Sequence, residues 1–161
     1  MSHIDFKTWP SYETDELEAV TRVLKSGKVN YWTGKEGKKF EREFAEYHGA
    51  GYGVAVANGT VALELALLSL GIGAGDHVVV TPRTFMASVS CIVNVGALPV
   101  FADVDRNSGN ITPETVREAL TSKTRAIMAV HLAGWPCHMP GLMKLAEEKG
   151  LYVIEDCAQA H

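Results

Sequence analysis

Residues 54–81 read VAVANGTVALELALLSLGIGAGDHVVVT. The run opens on a short apolar stretch, Val54 to Ala57, whose length and β-branched content predict a strand. Asn58-Gly59-Thr60 turns the chain, and Gly59 to Leu70 is an apolar helix that Gly71-Ile72-Gly73 closes. His77 to Thr81, rich in valine, predicts the next strand. Strand, helix and strand in direct succession form the unit from which parallel sheets are built.

The alternation continues downstream. Phe85 to Val95 predicts a helix and Leu98 to Ala102 a strand. Thr112-Pro113-Glu114 opens a helix to Leu120, with threonine as cap and proline in the first turn. Arg125 to Val130 is a strand, Met139 to Lys149 a helix, and Leu151 to Ile154 a last strand that runs into Glu155-Asp156. Apolar residues occupy both faces of these strands. That pattern predicts an α/β fold, a mostly parallel sheet sandwiched by helices. Functional groups then belong at the carboxyl ends of the strands.

Upstream, residues 1–50 read as an N-terminal helical segment, and residues 51–161 as the sheet-bearing part. Thr14 can cap a helix over Asp15 to Ser26, where Leu17, Val20, Val23 and Leu24 recur at helical spacing and Gly27 ends the run. A polar loop, Lys28 to Gly37, leads to a second short helix marked by Phe40 and Phe44 and closed by His48 and Gly49.

The 161 residues are 47% apolar and 21% charged, which suits a packed domain and excludes a disordered chain. The formal charge of -4 is spread along the chain, and the densest basic run, Lys35 to Lys39, is interrupted by Glu36. No nucleic-acid face is expected. No apolar stretch is long enough to cross a bilayer. Met1 to Pro10 lacks the apolar core of a secretory signal. Cys91, Cys137 and Cys157 are far apart, so reduced thiols in a cytoplasmic protein are expected. Cys137 adjoins His138 without a second ligand pair, so no metal site is expected.

Three strand ends carry candidate chemistry. Asn58-Gly59-Thr60 opens a helix whose free N–H groups and positive end suit a phosphate; a plain helix cap explains the same residues. Phe85, after Thr81-Pro82-Arg83-Thr84, could stack on a flat heterocycle or fill the core. Asp156 ends a buried strand, where an unpaired carboxylate is costly. It calls for a cation, for which a protonated pyridine nitrogen would serve, or else it caps the next segment or pairs with Arg or Lys. Gln159 lies within reach of the same ligand.

The order and spacing of several short motifs resemble the nucleotide-sugar aminotransferases of the DegT/StrS group. The motifs are Asn58-Gly59-Thr60, Gly71 to Asp76, Thr84 to Ser88, Gly96 to Asp105, Val130 to Gly134 and Ile154 to His161. The resemblance runs from about Asp15 to His161. It implies an aspartate-aminotransferase-like fold that binds pyridoxal 5'-phosphate (PLP), of which residues 51–161 would be part of the large domain. It also implies a homodimer and transfer of an amino group from an amino acid, typically glutamate, to a keto sugar of a nucleotide-sugar, in polysaccharide biosynthesis. By the same resemblance Gly59, Thr60 and the amide of Val61 would bind the phosphate, and Phe85 would stack on the pyridine. Asp156 would face the ring nitrogen, as the catalytic group of this stretch, and Gln159 would face the phenolic oxygen.

The Schiff-base lysine of the family is expected beyond the stretch matching Glu155 to His161. The nine lysines here, Lys7, Lys25, Lys28, Lys35, Lys38, Lys39, Lys123, Lys144 and Lys149, fall at other positions. The expectation is therefore that the lysine and the smaller domain lie outside these residues, and that this stretch alone is inactive. Relatives with histidine in place of the lysine dehydrate the sugar instead. A folding or dimerisation unit without catalysis is the other alternative.

Overall fold

The computed structural model describes residues 8 and 10–160. Expectations for Met1 to Lys7, Trp9 and His161 lie outside them. The chain divides into two compact units, the first ending at Ala55 and the second starting at Val56.

The first unit holds α1 (Thr14–Ser26) and α2 (Glu36–Tyr47). The cap of α1 is Glu13 rather than Thr14, which is already helical. Glu13 and Glu16 bond reciprocally, and the Glu13 N–H donates to Glu16 Oε2 at 2.7 Å. A capping box thus satisfies the helix start without the threonine. Gly27 ends α1 at φ 67°, a left-handed conformation that costs glycine little. Phe40 and Phe44, one turn apart on α2, approach to 5.4 Å between ring centroids.

The strand predicted for Val54 to Ala57 does not form. Tyr52 and Val54 are 93% and 71% exposed, and the Ala55 N–H donates to Glu41 Oε1 at 2.9 Å instead of to a neighbouring strand. A β-prone segment becomes a strand only where a ladder receives its backbone groups.

The second unit begins with α3 (Gly59–Ser69), then β1 (His77–Val80), α4 (Ala87–Asn94), β2 (Leu98–Phe101), α5 (Pro113–Ala119), β3 (Thr124–Val130), α6 (Met139–Lys149) and β4 (Tyr152–Asp156). Thr112 caps α5 as expected, in a reciprocal box with Thr115. The four strands form one parallel sheet in the order β2-β1-β3-β4.

Alternation along the strands feeds two cores. Val78 and Val80 of β1 and Ala126 and Met128 of β3 point to one face, where Leu63 and Leu67 of α3 and Cys91 and Ile92 of α4 cover them. Val79, Ile127 and Ala129 point to the other, against Val116 of α5 and Leu142, Leu145 and Ala146 of α6. The helices therefore sandwich the sheet. Strand β2 departs from the two-sided apolar expectation in its burial: Leu98 and Phe101 are about half exposed, because β2 is an edge.

The strand order has a consequence for function. The chain leaves β1 in one direction to make β2 and leaves β3 in the other to make β4. Between the carboxyl ends of β1 and β3 the connections diverge and open a crevice, the usual ligand position in open α/β sheets.

Candidate cofactor site at the strand switch point

The crevice is lined by Thr84 and Phe85 from the β1 end, Val130, His131 and Leu132 from the β3 end, and Asp156, Ala158 and Gln159 from the β4 end. Its enclosed volume is ≈ 30 Å³, so these residues make a floor and one wall rather than a closed pocket. Three of the expected residues, Phe85, Asp156 and Gln159, meet here.

Asp156 is the last residue of β4 and is buried. Its Oδ2 accepts from Ser88 Oγ at 2.6 Å, and its Oδ1 accepts from the Ala158 N–H at 3.1 Å. The bond to Ala158 makes Asp156 a cap for the turn after Cys157, one of the readings its position allows. The Arg or Lys partner is not found: among the described residues no cation pairs with Asp156. A buried carboxylate held only by neutral donors retains its demand for a cation.

Among the described residues Phe85 is 74% exposed, with nothing packed over it. An aromatic face open beside a buried carboxylate is what a flat cationic ring would meet. Gln159 Oε1 accepts from the Ala133 N–H at 2.6 Å. Ala133 sits at φ 56°, the one non-glycine residue with positive φ among those described. Such a strained conformation is retained where the surroundings need it. Here it aims the N–H at Gln159 and turns the amide Nε2, a double donor, to the remaining side.

The helix start at Gly59 is built as a cap. Asn58 Oδ1 accepts from the Val61 N–H at 3.1 Å. The Val61 amide is thus engaged, and the N–H groups of Gly59 and Thr60 are the ones that no helical carbonyl receives. A Cβ built on Gly59 meets nothing within 4 Å, so open space lies beside it. The loops that leave α3 and α4 touch: a Cβ on Gly73 would lie 3.3 Å from Val95 O, and one on Gly96 3.5 Å from Ala74 N. Their C-terminal ends share the amino edge of the sheet. The two helices therefore run in the same sense, and their N-termini share the carboxyl edge.

Four polar residues at this edge were not singled out from sequence. Ser88, entirely buried on α4, bonds Thr84 Oγ1 at 2.7 Å as well as Asp156. His131, at the end of β3, has its Nε2 2.8 Å from Glu155 Oε2, while its Nδ1 accepts from the Cys137 N–H at 3.1 Å. A hydroxyl four residues from another across a strand-to-helix turn, and a histidine directly after a buried strand, were the available signals. His131, Glu155 and Cys157 place three donor atoms within 4.8 Å of one another. They suit a metal poorly. With Nδ1 accepting a backbone N–H, the ring carries its hydrogen on Nε2, the atom a metal would need.

The thiols are free. Burial pushes the Cys91 and Cys137 thiols up to about 11; the Asp156 charge adds to this at Cys91, and the Glu155 charge at Cys137. Larger clefts lie elsewhere, such as that between α5 and α6, where Arg117 and Glu148 pair at 3.3 Å.

This site lies at the switch point of a parallel α/β layer, and the solved structures that resemble the chain are aminotransferases. An aminotransferase from Psychrobacter cryohalolentis is 60% identical with a TM-score of 0.94, over 98% of this chain and 40% of that one. The sugar aminotransferase Spr1654 of Streptococcus pneumoniae, described as putative and solved in its PLP form, is 31% identical with a TM-score of 0.87, over 94% and 42%. The fold is aspartate-aminotransferase-like. Among curated relatives, GDP-perosamine synthase of Escherichia coli O157:H7 is 44% identical over 154 residues, 94% of this chain and 41% of that protein. The chain thus spans about two fifths of the length of the proteins it matches. Residues 10–161 match the DegT/DnrJ/EryC1/StrS aminotransferase family, and the chain belongs to it. PLP is the cofactor this membership implies. Among the described residues no helix is long and apolar enough to cross a membrane.

Proposed function

We propose that the protein to which these residues belong is a PLP-dependent aminotransferase, acting as a cytoplasmic homodimer. It would move an amino group from an amino acid, with glutamate as donor, to a keto sugar carried on a nucleotide. The observation that carries the PLP assignment is the buried Asp156 carboxylate, which has two neutral donors and no cation among the described residues, beside the open face of Phe85. The residues present suit the cofactor's ring nitrogen, ring face, phenolic oxygen and phosphate, and leave its aldehyde to a lysine outside this stretch. The nucleotide-sugar acceptor rests on the likeness to GDP-perosamine synthase.

When bound, PLP supplies an electron sink for the charge left by loss of the substrate's α proton. The chain's own residues prepare that chemistry. Asp156 holds a proton on the ring nitrogen, because an anionic oxygen opposite N–H+ favours the charged pair. Phe85 covers one ring face and excludes water from it. Gly59 and Thr60 receive the phosphate with two backbone N–H groups and the threonine hydroxyl at the positive end of α3. Gln159, with its oxygen already bonded to Ala133, offers Nε2 to the phenolic oxygen.

The test is amino transfer by the full-length protein from glutamate to nucleotide-linked keto sugars, with and without PLP, in the native form and as Asp156→Asn. Product that requires PLP, and that falls by orders of magnitude in a folded Asp156→Asn, is the expected result. Undiminished turnover in that variant removes Asp156 from the mechanism. Activity confined to keto acceptors that lack a nucleotide refutes the acceptor class.

A further inference from the structure

We infer that Thr84 and Ser88 form a directed hydroxyl relay that positions the Asp156 carboxylate toward the cofactor nitrogen. The inference rests on the reading above, in which that nitrogen faces Asp156. It assigns a role to two residues which that reading does not use.

The direction of the relay follows from hydrogen counting. An ionised carboxylate only accepts, so the 2.6 Å contact between Ser88 Oγ and Asp156 Oδ2 uses the one hydrogen of the serine hydroxyl. The 2.7 Å contact between Thr84 Oγ1 and Ser88 Oγ must then have threonine as donor. The chain runs from Thr84 through Ser88 to Asp156, and each donation polarises the next.

Its placement is not that of a packing accident. Ser88 is fully buried on α4 and Asp156 ends β4, 68 residues later, so the bond ties a helix on one face to the far strand of the sheet. Thr84 lines the crevice itself, which puts the free end of the relay beside the ligand. With Ser88 on Oδ2 and Ala158 N–H on Oδ1, the carboxylate plane is pinned from two sides. Each oxygen keeps a lone pair for the crevice. Without Ser88 the carboxylate is held from one side only and is free to turn away from the ring nitrogen, which loosens its charge-assisted hold on the N–H proton. Ser88 is thus a positioning residue, acting through Asp156 rather than on the ligand.

The experiment reconstitutes the full-length protein with PLP labelled with 15N in the ring. The ring-nitrogen resonance and PLP affinity are read in the native form and in Ser88→Ala, Thr84→Val, Thr84→Ser and Asp156→Asn. Ser88→Ala is expected to move the resonance toward the unprotonated position and to weaken PLP binding roughly tenfold, the scale of one lost bond to a charged group. Thr84→Val moves it in the same direction by less, and Thr84→Ser, which keeps the hydroxyl, stays native. A merely structural serine would leave the resonance where it is. If Asp156→Asn moves the resonance while Ser88→Ala leaves both resonance and affinity native, the relay is refuted and the assignment of Asp156 stands. If Asp156→Asn itself leaves the resonance protonated, the nitrogen does not face Asp156, and both the reading and the relay fall. Should Ser88→Ala not fold, Thr84→Val against Thr84→Ser decides: identical spectra refute the relay.

Discussion

Phe85→Ala separates a cofactor platform from a packing residue, because the two roles place the larger loss on different measurements. The side chain is 74% exposed, so about a quarter of its surface is removed from water. Full burial of a phenylalanine stabilises by about 1.5–3 kcal/mol, so a quarter of that is roughly 0.5 kcal/mol. The cofactor-free protein should therefore lose about that much stability on truncation. With PLP bound, the ring face is covered, and loss of stacking and contact area should cost about 1–3 kcal/mol of binding. That corresponds to PLP affinity weakened about 5- to 150-fold. Phe85→Tyr and Phe85→Trp should bind nearly as the native protein, since each presents a flat face. The assays are denaturant unfolding of the cofactor-free full-length protein and fluorescence titration with PLP. A variant that loses well over 1 kcal/mol of stability yet binds PLP as the native protein does would refute the platform and make Phe85 a packing residue.

Three further outcomes follow from the geometry. Thiol labelling of the native protein near pH 8 should mark Cys157 ahead of Cys91 and Cys137, although burial and the Glu155 and Asp156 charges push its thiol up as well. Burial holds Cys91 and Cys137 at about 11, leaving roughly one thiolate in a thousand there, with labelling rising about tenfold per pH unit toward pH 11; equal rates at all three would contradict it. Gly141→Ala should destabilise by about 1–3 kcal/mol in denaturant unfolding, because its new Cβ would lie 2.6 Å from His138 Nδ1 and 2.7 Å from Pro113 Cγ, where α5 crosses α6; an unchanged midpoint would mean that the two helices move apart freely. Borohydride reduction of the PLP-loaded full-length protein should leave Lys123, Lys144 and Lys149 unlabelled. The Lys123 carbonyl accepts from His77 N–H at the amino edge, opposite the crevice, and Lys144 and Lys149 lie on α6; a stoichiometric pyridoxyl group on any of them would overturn the placement of the site.

Much of this molecule is legible in one dimension. The strand and helix alternation from His77 to Asp156 follows from local apolar periodicity and from caps such as Thr112, and both act within a few residues. Asp156 stands out because a carboxylate directly after Val153-Ile154 is costly wherever that strand is buried. The order of the short motifs was sufficient for the family. Other features depend on partners distant in sequence. The Val54 to Ala57 segment has the composition of a strand, and none of the described strands pairs with it. Nothing local says that β2 lies outside β1, and so nothing local places the crevice between β1 and β3. Whether Phe85 packs inward or stands open is a matter of what folds over it. The donors to Asp156 include a serine 68 positions earlier, brought there by a helix crossing the sheet. Periodicity and capping energies are properties of neighbours along the chain. Sheet order, exposure and the hydrogen-bond partners of a buried carboxylate are set by contacts that exist only once the layers have packed.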